Sequence, residues 1–236
     1  MLNVVKSRSA GKLTIFLTLV LFAVIGCSIK NGNTETQKQI NNLHQTTENK
    51  MTDTTNLKKA IFGGGCFWCV EAIYQDIKGV EKVESGYSGG TKKNPSYEEV
   101  CTGKTGHAEV VQITYDASQI TYEQLLNVFW HVHDPTTLNK QGADAGTQYR
   151  SVIFYMNDDE KKIAEDSKKK TEESKLWDDP IVTEITPLTE FYKAENYHQS
   201  YFKNNPEKSY CSYVIAPKVR KFYKEFKYLL KDGVEN

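Results

Sequence analysis

The chain has 236 residues, of which 39% are hydrophobic and 25% are charged. This length and balance suit one globular domain rather than a disordered chain or a coiled coil. Its 30 basic residues match its 30 acidic residues, so the chain has no excess of positive charge to attract nucleic-acid phosphates, and composition argues against nucleic acid as a partner. The odd number of cysteines, 5, does not suggest a framework of structural disulfides, so reactive or modified thiols are expected instead.

The N-terminal segment resembles a bacterial lipoprotein leader. Residues 1–12 contain basic but no acidic side chains, and the apolar run from Leu13 to Ile25 is short for a membrane span. The run leads into Gly26-Cys27, which resembles the lipobox, where cleavage precedes a lipidated cysteine. We therefore expect residues 1–26 to be a signal peptide, Cys27 to carry lipid, and the mature protein to be an extracytoplasmic, membrane-anchored lipoprotein. A short uncleaved anchor with an incidental cysteine is the alternative.

The segment that follows predicts a flexible tether. Residues 28–56 are rich in Asn, Thr, Gln, Glu and Lys and contain no aromatic residue. Such a segment cannot bury enough apolar surface to offset the entropy lost when a chain is ordered. We therefore expect the lipidated N-terminus and tether to occupy residues 27–56 and a catalytic domain to occupy residues 57–236.

The catalytic region mixes strand-like and helix-like patterns without an internal repeat. A short apolar strand at 60–62 leads into a glycine turn at 63–65 and then into a helical pattern over 66–78. Further strands are predicted at 80–86, 109–115, 151–156 and 181–186, and helices at 122–131, at 157–176 with Asn157 as the N-cap, and at 218–230. This mixture favours an α+β fold over a doubly wound parallel sheet. The long connections at 88–107 and 134–149 are candidates for function.

Cys66 lies where the first strand turns into a helix. The free amides and the dipole at a helix N-terminus favour a thiolate, which is the nucleophilic form of cysteine. The glycines before it allow a substrate backbone to approach, and Phe67 and Trp68 can form an apolar wall beside the sulfur. The pattern therefore predicts that Cys66 is a nucleophile.

Two alternative functions of the pair formed by Cys66 and Cys69 must be considered, a zinc site and a thioredoxin-like redox motif. A zinc site would need two more Cys or His ligands, but the sequence has no second CxxC and no HxxxH. A thioredoxin-like CxxC motif belongs in a βαβ unit and lacks a glycine turn before it and Phe-Trp between the thiols. We expect no metal and no organic cofactor.

The motifs around Cys66 resemble a known family. Gly65-Cys66-Phe67-Trp68 is similar to the signature of peptide methionine sulfoxide reductase A, and further blocks follow in the family's order at 86–90, 94–101, 105–109, 133–135, 141–150, 197–199 and 205–211. The resemblance covers roughly residues 57–230. It implies an α+β fold with a ferredoxin-like core, in which a central mixed, mainly antiparallel sheet is flanked by helices.

The resemblance also implies an activity, which is reduction of the S epimer of methionine sulfoxide, free or in proteins, to methionine. Thiolate attack on the sulfoxide sulfur requires that the oxygen be protonated or strongly hydrogen-bonded. Glu109 is the family-matched acid, and a partly buried carboxyl with a raised pKa would stay protonated. Tyr97 and Tyr149 match the two tyrosines that hydrogen-bond the sulfoxide oxygen. A lipoprotein that binds oxidised peptides without catalysis is the alternative function.

Other positions match supporting residues of the family. Asp144 matches a residue that orients the site or the substrate backbone, while Phe67 and Trp68 are expected to hold the methyl group of the sulfoxide. His198 and Glu195 are expected to form a supporting pair. A further match is Cys101, which we interpret as buried and inert.

Attack by Cys66 leaves a sulfenic acid, which condenses with a second thiol. Family members can have Gly at the position of Cys69 and two distal cysteines, whereas only Cys211 is distal here. Because closure over a short distance costs less entropy, Cys69 is preferred as the first resolving thiol. Cys211, expected in a loop after Asn205-Pro206, would then receive the disulfide by exchange, although the sequence leaves the order open.

The resemblance implies that the final disulfide is reduced by thioredoxin or a thioredoxin-like protein. The other expected partners are oxidised proteins, free methionine sulfoxide and the membrane that holds the lipid anchor. We expect the protein to be a monomer.

Overall fold

The computed structural model describes residues 56–234. The predicted signal peptide, the lipidation site at Cys27 and almost all of the predicted tether lie outside the described residues and stay predictions. None of the described helices is long and apolar enough to cross a membrane.

The described part of the chain mixes eight strands and six α-helices. The strands are β1 (Leu57–Gly64), β2 (Val80–Ser88), β3 (Ala108–Asp116), β4 (Lys140–Gln141), β5 (Asp144–Ala145), β6 (Ser151–Tyr155), β7 (Glu184–Pro187) and β8 (Phe191–Lys193). The helices are α1 (Phe67–Tyr74), α2 (Tyr97–Cys101), α3 (Tyr122–Val132), α4 (Asp158–Glu173), α5 (Tyr201–Asn204) and α6 (Ala216–Glu225). Short 3₁₀ turns occupy Thr147–Tyr149, Asn196–His198 and Lys227–Leu229, and a π-helical turn occupies Cys211–Ile215.

Six of the strands form one mixed sheet in the order β7-β6-β1-β3-β2-β8. All neighbours pair antiparallel except β6 and β7, which pair parallel. β4 and β5 form a separate small hairpin. The predicted α+β class with a mainly antiparallel sheet is confirmed.

The main core lies between one face of this sheet and the helices α1, α3 and α6. Phe62 of β1 is completely buried there, with its ring 5.2 to 5.9 Å from the rings of Tyr74, Tyr122 and Phe129. The opposite face carries a smaller cluster that includes Val110. Because side chains alternate along a strand, Glu109 points to the same face as Val111 in the main core, towards α1.

Several predicted boundaries are wrong for local reasons. Gly63 and Gly64 pair with β6 as part of β1, and only Gly65 makes the turn. The helix predicted to run to residue 176 ends at Glu173, just before Lys175 turns left-handed at φ 57°. Its predicted N-cap is confirmed, because the side chain of Asn157 accepts the Glu160 N–H at 2.9 Å.

Other differences concern short elements that have weak sequence signals. The helix predicted over 66–78 ends at Tyr74, and the last predicted helix begins at Ala216 and ends at Glu225. The strand predicted at 181–186 is shifted to Glu184–Pro187, and β8 has only three residues and was not predicted. These segments take their conformation from their neighbours in the sheet and core rather than from their own periodicity.

Candidate active site

The fold places Cys66 at the N-cap of α1, directly after the end of β1. Gly65 makes this turn at φ +88°, a conformation that L side chains rarely adopt. An added Cβ at this position would lie 2.6 Å from the Cβ of Gln141, whose side-chain amide makes two hydrogen bonds to the backbone of Asp134. The turn is therefore tightly enclosed, and Cys66 is only 6% exposed.

Cys66 and Cys69 form a hydrogen-bonded pair of thiols, both buried and both free. Burial raises the pKa of Cys66, and its hydrogen bond to Cys69 and the charge of Glu109 raise it further. The pKa of Cys69 is lowered, chiefly by the hydrogen bond from Cys66. At Cys66 burial therefore opposes the effect of the helix amides, and the predicted thiolate at Cys66 stays a prediction.

Glu109 is 1% exposed on β3, so its predicted burial is confirmed. Its Oε2 atom accepts the backbone N–H of Phe67 at 3.0 Å, which holds the carboxyl beside the first turn of α1. Burial raises the pKa of Glu109 to about 8, although the hydrogen bond from Phe67 lowers it. At neutral pH the carboxyl is therefore mostly protonated and can donate a proton.

Tyr97 and Tyr149 come from two different connections, the first from α2 and the second from the 3₁₀ turn Thr147–Tyr149. Burial raises the pKa of both phenols, and the charge of Glu109 raises it further. Both therefore keep their hydroxyl protons. The ring of Tyr97 lies parallel to the ring of Phe67, with centroids 6.3 Å apart.

An aromatic wall stands beside the thiols. Trp68 stacks on Tyr201 with ring centroids 3.7 Å apart, and its indole N–H donates to Nδ1 of His198 at 3.1 Å. His198 in turn lies 4.3 Å from the ring of Tyr97. The sequence predicts an apolar role for Trp68 but gives no sign of Tyr201, which comes from a four-residue helix.

Glu195 supports the site through other contacts than the predicted one. Its carboxylate accepts the backbone N–H of Tyr97 and the hydroxyl of Tyr87, both at 2.9 Å. His198 Nε2 lies 4.0 Å from the carboxylate, which is too far for a hydrogen bond. His198 and Glu195 are therefore neighbours, as predicted, but no direct hydrogen bond joins them.

Tyr210 links the thiols to Asp144. Its hydroxyl donates to Oδ2 of Asp144 at 2.7 Å and lies close enough to Cys66 and Cys69 to lower the pKa of both thiols. Asp144 lies on β5 and reaches the site through this phenol, while its predicted orienting role stays a prediction. The sequence gives no separate sign of Tyr210, which directly precedes Cys211.

Two cysteines lie in unexpected environments. Cys211 begins a π-helical turn rather than lying in a loop, and its side chain is completely buried, so the predicted loop position is wrong. Cys101, predicted to be buried and inert, is exposed at the end of α2, because this helix is only five residues long and buries only Val100. Its thiol makes a hydrogen bond with Tyr97.

Across residues 56–234, no group of three or more His, Cys, Asp or Glu side chains is arranged to hold a metal ion.

The fold and the site together define a class of protein, the thiol-based oxidoreductases. Two free thiols, a carboxyl with a raised pKa and two phenols lie in one region of the molecule, where their charges influence one another. The family model described as peptide methionine sulfoxide reductase matches residues 58–229. The chain belongs to this family.

Relatives with similar sequences support the same family assignment. A peptide methionine sulfoxide reductase MsrA of Acinetobacter baumannii is 54% identical over 176 residues, which are 75% of this chain and 99% of the relative. An MsrA of Polynucleobacter asymbioticus is 51% identical over 184 residues, 77% of this chain and 97% of the relative.

Solved structures agree with the sequence relatives. The reduced form of Mxr1 from Saccharomyces cerevisiae is similar with a TM-score of 0.62 and 36% identity, over 67% of this chain and 91% of that one. The methionine sulfoxide reductase A of Corynebacterium diphtheriae is similar with a TM-score of 0.58 and 35% identity, over 66% of this chain and 78% of that one.

Proposed function

We propose that the chain reduces the S epimer of methionine sulfoxide, free or in proteins, to methionine, and that Cys66 is the nucleophile. One observation carries the assignment of the site. The buried carboxyl of Glu109 is bonded to the N–H of Phe67, immediately after Cys66, and burial keeps it protonated at neutral pH. The hydrogen bond from Phe67 therefore holds the acid, which belongs to β3, against the turn that carries the sulfur nucleophile.

In the first step the sulfur of Cys66 attacks the sulfoxide sulfur. Its proton passes to the sulfur of Cys69, to which it is hydrogen-bonded. Glu109 protonates the sulfoxide oxygen, while the hydroxyls of Tyr97 and Tyr149 hydrogen-bond it without adding charge. The transient bond between the two sulfurs and the S–O bond of the substrate then break as the oxygen passes to the sulfur of Cys66, which leaves methionine and a sulfenic acid on Cys66.

Phe67 and Trp68 would hold the methyl group of the sulfoxide. Phe67 is buried between Tyr87, Tyr97 and His198, and Trp68 is fixed by its stack on Tyr201. These contacts leave little freedom for either ring. A rigid apolar wall opposite a hydrogen-bonding side is suited to distinguish the methyl group of a sulfoxide from its oxygen.

In the second step Cys69 resolves the sulfenic acid. Cys69 is already in contact with Cys66, whereas Cys211 is buried and begins a separate helical turn. The charge of Cys69 influences the pKa of Cys211, so the two side chains lie in the same region and can exchange a disulfide after a local movement. The proposed external reductant is thioredoxin or a thioredoxin-like protein.

The location of the protein is part of the proposal. The sequence from Met1 to Cys27 supports cleavage before Cys27, lipid attachment to its thiol, and an extracytoplasmic enzyme that acts as a monomer on a tether. Mass spectrometry of the membrane fraction should find an acyl mass on Cys27 and none after Cys27→Ser. A wild-type protein without this mass would contradict the anchor.

The activity is tested with a methionine sulfoxide peptide and dithiothreitol. We expect turnover of the S epimer by the wild type, no turnover by Cys66→Ser, and a large loss of kcat with little change in KM for Glu109→Gln. Glu165→Gln, which removes an exposed carboxylate on α4, is the matched control and should behave like the wild type. Binding of the peptide without turnover by the wild type would instead favour the alternative of a binding lipoprotein.

A further inference from the structure

Lys218 of α6 makes a contact that the proposed chemistry does not yet use. Its Nζ lies 3.8 Å from Sγ of Cys69, and its side chain is half-buried. Within residues 56–234 no carboxylate lies within 4.0 Å of this ammonium. A lysine ammonium that has no carboxylate partner and lies next to a buried sulfur is suited to be the counter-ion of the thiolate form of that sulfur.

The groups around Cys69 come from several elements. Cys66 hydrogen-bonds its sulfur, the hydroxyl of Tyr210 lies beside it, and Lys218 contributes the positive charge. Negative charge faces it from Asp144 on β5 and from Glu109 on β3, when that carboxyl is ionised, and Cys211 lies nearby. The positive charge of Lys218 therefore offsets the negative charges that face the sulfur of Cys69.

His133 does not share this role. It lines a cavity of about 240 Å³ together with Lys218, Asp134 and Lys221. Its ring is completely enclosed, with Nδ1 bonded to the carbonyl of Phe129 at 2.8 Å and Nε2 to the hydroxyl of Ser151 at 2.7 Å. Burial lowers the pKa of His133 to about 4, so this ring stays neutral and does not supply the positive charge beside the thiols.

We propose that Lys218 pairs directly with Cys69 and holds it as a thiolate, which makes Cys69 the nucleophile that resolves the sulfenic acid on Cys66. The proposal rests on the proposed function. The Cys69 sulfur forms a bond to the Cys66 sulfur, and the S–O bond of the sulfenic acid breaks. The oxygen leaves as water, with the proton of the sulfenic acid and the proton that the Cys69 thiol released. Two thiols are thus oxidised to a disulfide as one oxygen is reduced to water.

The first experiment follows the sulfenic acid after a single turnover, by dimedone trapping and peptide mapping. In Lys218→Met we expect the sulfenic acid to persist about threefold longer or more at pH 7, because a tenfold loss of thiolate is partly offset by its greater nucleophilicity. The difference should shrink as the pH is raised and Cys69 ionises without the lysine. Lys218→Arg should keep the wild-type lifetime.

Lys221→Met is the matched control. Lys221 lies on the same helix and lines the same cavity, but its side chain is exposed and lies 3.9 Å from Glu225. Removing its charge should leave the lifetime unchanged. Equal lifetimes for Lys218→Met, Lys221→Met and the wild type at pH 7 would overturn the proposal.

A second measurement does not depend on turnover. In Cys66→Ala, the pH dependence of alkylation at Cys69, mapped by mass spectrometry, gives its pKa with and without Lys218→Met. We expect the lysine substitution to raise this pKa, and an unchanged pKa would overturn the pairing. A wild type that forms no methionine but shows the expected alkylation difference would refute the proposed function and leave the ion pair standing.

Discussion

Glu109 is a carboxyl that the fold keeps protonated where a solvent-exposed glutamate would be charged. Burial raises its pKa to about 8, so the acid form is lost as the pH rises through this value. We predict that single-turnover methionine formation falls about tenfold for each pH unit above roughly 8, because the sulfoxide oxygen then lacks its proton donor. In Glu109→Gln the remaining slow rate should not show this decline. A wild-type rate that keeps rising through pH 9 would contradict the role of Glu109.

The two candidate resolving thiols differ sharply in their surroundings. Cys69 is hydrogen-bonded to Cys66, whereas Cys211 is buried in a separate turn and its own pKa is raised by burial. We predict that oxidation of the wild type by one equivalent of substrate first traps a disulfide between Cys66 and Cys69. Rapid alkylation and peptide mapping check this, and Cys211→Ser should give the same first bond. A first bond from Cys66 to Cys211 in the wild type would reverse the proposed order.

Among the elements, the junction of β1 with α1 carries most of the geometry of the site. At Gly65 an added Cβ would meet the side chain of Gln141 and would also force a left-handed backbone on an L residue. We predict that Gly65→Ala lowers kcat strongly and lowers the free energy of unfolding by about 1 to 3 kcal/mol, since strain and collision act together. Steady-state kinetics and urea unfolding measure both effects.

Gly142 provides the matched control for this substitution. It also has a positive φ, of +62°, but nothing lies within 4 Å of an added Cβ. Gly142→Ala should therefore show the cost of the backbone conformation alone, about 1 kcal/mol, with little loss of kcat. Equal effects of the two alanines on kcat would show that the contact with Gln141 is not what positions Cys66.

At the scale of the whole molecule, a second buried carboxyl makes stability depend on pH. Glu71 of α1 is 1% exposed; its Oε2 accepts the N–H of Tyr201 at 3.4 Å, and its Oε1 has no hydrogen-bond partner within the described part of the chain. Burial raises its pKa to about 7. The folded state therefore holds a proton that the unfolded chain releases, and this contribution to stability is lost as the pH rises from about 4.5 to about 7.

We predict that Glu71→Gln gains stability relative to the wild type when the pH is raised from 5 to 8, by up to about 3 kcal/mol. Urea unfolding under reducing conditions at both pH values measures the difference. Glu84→Gln is the control, because Lys82 and Lys193 lower the pKa of Glu84 and keep it charged across this range. Its effect should not change between pH 5 and pH 8. If the effect of Glu71→Gln on the free energy of unfolding were also the same at pH 5 and pH 8, the pKa of Glu71 would not be raised in the folded protein.

The sequence alone determined the parts of this protein that local patterns encode. The apolar periodicity predicted the principal strands and helices, Asn157 predicted where one helix begins, and ordered motifs led to Cys66, Glu109, Tyr97 and Tyr149. These features are readable because each depends on a residue type at a fixed spacing from its neighbours. Short segments such as β8, α2 and the π-helical turn escaped, because pairing across the sheet and core packing decide their conformation.

Only the tertiary structure decided how charge is distributed in the site. Burial, hydrogen bonds and distant charges set each pKa, and none of these is visible in the order of residues. The tertiary structure raises the pKa of Cys66 and lowers that of Cys69, buries Cys211, exposes Cys101 and brings Lys218 to Cys69 across 149 positions of sequence. The motifs identified which atoms can react, while packing determined which of them carries the proton.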